Sequence, residues 1–136
     1  MKEVSSTALS EGAIRDPAWR RRVLISLTAS HALNDMLGIV IAPLIPLLRL
    51  TFGLTFAQAG VLPFLSLAVS SILQPSLGYL ADRRRIRIHL MGVGFILMAA
   101  GMAVMGLADG YLVLLLAMVV LGIGASTYHP QSATFI

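Results

Sequence analysis

The sequence predicts an all-α integral membrane protein with four transmembrane helices. Three observations carry this. Of 136 residues, 57% are hydrophobic and only 12% are charged, whereas a soluble domain of this size is about one-quarter charged. The apolar residues fall into four runs, each about as long as the ~20 residues a spanning helix needs. The ten Lys and Arg residues sit almost entirely in two clusters beside those runs.

Residues 1–22 are small, polar and basic and read as a cytoplasmic arm. Arg20-Arg21-Arg22 ahead of an apolar run resembles a signal peptide, but the run is too long and Asn34-Asp35 interrupts it. Helix 1 is expected over residues 23–48, with Pro43 and Pro46 kinking its outer half. Residues 49–55 form an outer loop. Helix 2 is expected over 56–81, opened by a capping box at Thr55-x-x-Gln58. No residue between Arg49 and Asp82 is charged.

Helix 3 is expected over 88–107. Gly92, Gly94, Gly101 and Gly106 would allow close helix packing. Asp109-Gly110 forms the next turn, and helix 4 is expected over 111–136, with Gly122, Gly124 and Ser126 as a second small-residue stripe. Nine of the ten basic residues (Lys2, Arg15, Arg20, Arg21, Arg22, Arg83, Arg84, Arg85 and Arg87) then lie on one side, and Arg49 alone on the other. Basic residues favour the cytoplasm, so both termini are expected there, in a cell's inner (plasma) membrane.

The same clustering argues against a nucleic-acid footprint, although the net charge is +4. The chain has no cysteine, so thiol and disulfide chemistry are absent. His31, Asp35 and His129 have no recognisable metal-site spacing. Neither a cofactor nor an enzyme activity is expected.

Asp35 is the first candidate functional residue. It lies about 18 Å into helix 1, near the bilayer centre. A carboxylate there is expensive and marks a functional site by default; reversible protonation is a natural use. His31 stands four residues earlier on the same face, and Asn34 is adjacent on a different one. The alternative is an acid that only joins helices. In helix 4, the string Tyr128-His129-Pro130-Gln131 should face protein or a water-filled cavity rather than lipid. The bland alternative is an ordinary polar helix end. Asp82 stands at the C-terminal end of helix 2, where the helix dipole disfavours it. Arg83, Arg84, Arg85 and Arg87 could answer its charge, set topology and contact anionic lipid.

Gly78-x-x-x-Asp82-Arg83, with Arg87 following, resembles the loop between helices 2 and 3 in the major facilitator superfamily of secondary transporters. Arg85 and Ile86 stand where many members have Gly and a basic residue. His31-Ala32-Leu33-Asn34-Asp35-Met36, Ala42-Pro43-Leu44-Ile45-Pro46, Leu54-Thr55-Phe56, Gln74-Pro75-x-x-Gly78-Tyr79 and Tyr128-His129-Pro130 together resemble its fosmidomycin-resistance branch. Met118 stands where the superfamily commonly has an Arg.

The resemblance implies the N-terminal part of a major facilitator fold and a proton-driven exporter of small drug-like molecules. Its partners would be the lipid bilayer, protons, a small-molecule substrate and the rest of the transporter. It also implies that Gly78, Asp82, Arg83 and Arg87 belong to a loop that changes contacts as the transporter switches conformation. Such transporters have two halves built of inverted three-helix repeats. This chain is expected to hold one repeat and the next helix. Two rivals remain: a four-helix module transporting as an oligomer, and a non-transporting membrane interaction partner.

Overall fold

The computed structural model describes residues 17–128, and every regular element among them is an α-helix. The elements are α1 (Pro17–Ile39), α2 (Ile41–Thr51), α3 (Phe56–Arg84), α4 (Arg87–Gly106) and α5 (Tyr111–Ser126). The chain divides into two compact units, with the boundary after Leu33, inside α1. In the first unit, Trp19, Leu24 and Ile25 are exposed, and the Ser30 hydroxyl donates back to the Leu27 carbonyl at 2.9 Å.

In the second unit, the last turn of α1 ends at Ile39, and a new helix begins at Ile41. Pro43 accounts for the break. It has no N–H for the Ile39 carbonyl, and its ring crowds that carbonyl. Pro46 lies inside α2 and removes a second bond. The run expected as one kinked helix is thus two helices meeting at Val40. α2 continues through Thr51, so Arg49 belongs to its last turn. The Arg49 guanidinium lies 3.8 Å from the centre of the Phe56 ring, a cation–π contact.

α3 starts with a complete capping box. The Gln58 N–H donates to the Thr55 hydroxyl at 3.2 Å, and the Thr55 N–H donates to Gln58 Oε1 at 2.9 Å. These bonds satisfy groups that a helix start otherwise leaves open. The Tyr111 hydroxyl donates to the Gln58 carbonyl at 3.2 Å and ties the start of α5 to the start of α3.

α5 is the centre of this unit. It packs against α4 and α3. Leu114, Ala117, Met118 and Leu121 are buried, at the i, i+3, i+4, i+7 spacing of one helix face. Two glycines bring backbones together on different sides. A Cβ on Gly122 would stand 2.6 Å from the Ser66 carbonyl oxygen of α3, and one on Gly124 would stand 2.7 Å from the Gly94 carbonyl oxygen of α4. Gly101 is similarly closed by Leu121, whereas Gly92 and Gly106 face open space. Only part of the expected glycine stripe therefore makes helix contacts.

Large apolar side chains point outward. Phe64 is 67% exposed and Ile96 69%, while Leu62 and Leu114 are at 0%. Bulky apolar residues on the outside and glycines at the helix contacts suit a lipid solvent, where close packing rather than water exclusion joins helices. Among the described residues, three helical segments are long and apolar enough to cross a membrane: Pro17–Thr51, Phe56–Arg84 and Arg87–Gly106. Tyr111–Ser126 is equally apolar but shorter among the described residues.

Candidate functional site

A cavity of about 380 Å³ opens in the second unit, between the end of α1, the start of α2 and the middle of α3. Met98 of α4 and Ala125 of α5 also line it. Most of its wall is apolar. The exceptions are Asn34 and Asp35 from α1 and Ser66, Ser70 and Gln74 from α3.

Asn34 is buried and Asp35 is half-buried. Asn34 Nδ2 donates to Asp35 Oδ1 at 3.3 Å. Neighbours on a helix point about 100° apart, which is why the sequence places them on different faces. Both nevertheless reach the same cavity, one from the buried side and one from the rim. Among the described residues, Asp35 is its one acidic group.

α3 supplies a ladder. Ser66, Ser70 and Gln74 recur at i, i+4 and i+8, so they stack along one helix face. Gln74 Nε2 donates to Ser70 Oγ at 3.2 Å. In the sequence, Ser66 and Ser70 do not stand out from the other polar residues of this helix, and Gln74 does so only within a motif. The signal that marks the three is their shared i, i+4, i+8 stripe.

The other sequence candidates are not among the residues lining this cavity. His31 is one turn before Asp35 on α1, in the N-terminal unit. Tyr128 is buried away from the cavity lining, against Phe95 of α4, with ring centres 5.7 Å apart and planes tilted by 59°. His129 and Gln131 lie outside the described residues.

The turn after α3 forms a second site. Asp82 Oδ1 accepts from Arg87 Nε at 3.0 Å and lies 2.9 Å from Arg87 Nη2. One carboxylate oxygen thus meets two guanidinium nitrogens across the turn, and the pair offsets the unfavourable end of the helix dipole. Arg83 Nη1 donates to the Tyr79 hydroxyl at 3.5 Å. Arg85 holds φ +54°, a left-handed conformation, and Ile86 N–H donates to the Ala81 carbonyl at 3.3 Å. This is a Schellman-type helix end, which ordinarily uses Gly at the left-handed position. Arg85 stands at the position where the resemblance expects glycine.

Comparison with known proteins identifies the family. The model of the Major Facilitator Superfamily matches residues 5–136. Over 111 residues, 82% of the chain, the sequence is 35% identical to the fosmidomycin resistance protein of Escherichia coli (strain K12), and covers 27% of it. Over the same length it is 32% identical to the uncharacterized MFS-type transporter YfnC of Bacillus subtilis (strain 168), again covering 27%. No solved structure matches. The chain therefore spans about a quarter of the length of these curated relatives. Its helical fold, outward apolar residues and family match make it a multi-pass membrane protein, and it belongs to the Major Facilitator Superfamily.

Proposed function

We propose that this chain supplies the first helices of a secondary transporter that exports small drug-like molecules in exchange for protons, with Asp35 as a proton-carrying group. The observation that carries the reading is the single acid within the span Pro17–Thr51, beside a cavity large enough for part of a small ligand. A carboxylate inside a span is expensive and is ordinarily kept for a function, and carrying a proton is the use that suits an exporter of this kind. Export of drug-like molecules rests on the likeness to a fosmidomycin resistance protein.

The orientation follows from charge. Arg20, Arg21 and Arg22 flank the first span, and Arg83, Arg84, Arg85 and Arg87 flank the turn between α3 and α4. Basic flanks favour the cytoplasm, which supports a cytoplasmic start of the first span and a cytoplasmic turn, in the inner membrane. The Asp82–Arg87 pair is then a cytoplasmic latch whose contacts change as the transporter alternates. His31, His129 and Gln131 are taken as supporting groups of the pathway, and Tyr128, packed on Phe95, as a structural residue.

The test uses a full-length transporter carrying this sequence, reconstituted into proteoliposomes. The transported drug is chosen from a susceptibility panel that begins with fosmidomycin. An imposed pH gradient should drive uphill movement, a protonophore should collapse it, and Asp35→Asn should abolish it. Uphill movement by Asp35→Asn at the wild-type rate would make Asp35 structural.

A further inference from the structure

The turn between α3 and α4 borders a cavity of its own, about 420 Å³ in volume, lined by Asp82, Arg85, Arg87, Ile88 and His89. Its charges do not cancel. Asp82 is taken up by Arg87, through one carboxylate oxygen and two guanidinium nitrogens. Arg85 is left as a cation with no hydrogen-bond or ion-pair partner among the described residues. His89 has none among them either, and an imidazole offers an N–H donor in both protonation states.

Two further features point to an anion. Ile86 gives α4 no side-chain cap, so the first N–H groups of that helix stay open where Arg87, Ile88 and His89 line the cavity. The helix dipole adds to their attraction for negative charge. Arg85 keeps φ +54°, a conformation that only glycine takes without strain. Strain of this kind clusters at ligand clamps and switch regions. The position then selects the source of the anion. α3 and α4 are both long and apolar enough to span a membrane, so the turn joining them stands at the membrane edge. Ile88 lines the cavity and is 71% exposed. A soluble phosphate compound has no use for that apolar surface. A phospholipid does, because its acyl chains lie beside Ile88 while its phosphate reaches the cations.

We propose that this cavity binds the phosphate of an anionic phospholipid, held by Arg85 and His89, with the Asp82–Arg87 pair as its wall. The proposal goes beyond the exporter reading and stands without it, since neither proton coupling nor drug binding enters.

The probe is phosphatidylglycerol, added to the purified full-length transporter in a neutral detergent. No charged bilayer is then present, and arginines outside the cavity act only through a screened field. Bound lipid is counted by native mass spectrometry. Phosphatidylglycerol should bind roughly tenfold more tightly than phosphatidylcholine with the same chains, the size expected of charge-assisted hydrogen bonds. Arg85→Gln should remove most of that preference, and His89→Leu a smaller part. Both side chains are exposed, and His89→Leu carries the test if Arg85→Gln does not fold. Arg84→Gln removes the same charge from a side chain that does not line the cavity, and should keep the preference. Equal binding of the two lipids or equal losses in Arg85→Gln and Arg84→Gln would overturn the proposal. So would glycerophosphoglycerol, the headgroup without its chains, if it bound as tightly as the lipid.

Discussion

Asp35 and Asp82 are the same side chain in opposite circumstances. Asp35 is half-buried inside a span, and it accepts from the Asn34 amide at 3.3 Å. Asp82 ends a helix at the membrane edge, is about half exposed, and meets two nitrogens of Arg87 within 3.0 Å. The difference teaches what each acid can do. A charge at the edge is screened, and its pairing is worth little on its own. Its value lies in where it pins the chain. A charge inside a span has no comparable solvent, so its protonation state changes the energy of the surrounding helices. One acid suits a latch, the other a proton carrier.

The strongest way to break this contrast is to neutralise the interior acid. Asp35→Asn should remove proton-driven transport altogether, while the amount of inserted protein stays unchanged. Measuring uptake and membrane quantity together separates a lost carrier from a lost fold. His31→Ala, one turn away on α1, should slow the same transport but leave it proton-driven.

A smaller effect is expected at the turn. Asp82→Asn should slow transport several-fold by removing the Arg87 contact, without preventing insertion. Exchanging the pair, Asp82→Arg with Arg87→Asp, should recover part of the rate, because the contact spans the turn in either polarity. Normal rates in the single variant would leave Asp82 as a loop charge only.

The smallest effect is at Arg85. A non-glycine residue in the left-handed region costs roughly 1 kcal/mol. Arg85→Gly should therefore raise the thermal midpoint slightly, by relaxing the backbone at φ +54°. A fall in the midpoint would mean that the arginine side chain contributes more than its backbone strain removes.

Much of this was legible in the sequence, for identifiable reasons. Hydrophobic run length and basic flanks give spanning helices, because the bilayer imposes both. Thr55 and Gln58 announced the start of α3 because a capping box is local. The family resemblance read from the turn after α3 and the scattered motifs agrees with the family match. Less legible was whatever depends on packing. That α2 is a separate helix depends on how the chain relieves Pro43, which can kink a helix or end it. That Gly94 and Gly124 meet while Gly92 and Gly106 do not depends on which faces come together. Tyr128 reads as polar in a string of polar residues, yet its ring is buried against Phe95. The Ser66–Ser70–Gln74 ladder was visible as spacing, but only the fold sets it opposite Asn34 and Asp35.

The most direct test of the contrast counts protons. Wild-type, Asp35→Asn and Asp82→Asn forms of the full-length transporter would be compared in proteoliposomes for protons moved per drug molecule. The account predicts that Asp82→Asn keeps the wild-type ratio at a lower rate, and that Asp35→Asn moves drug only downhill, with no accompanying proton flux. A wild-type ratio in Asp35→Asn, or a lost ratio in Asp82→Asn alone, would contradict it.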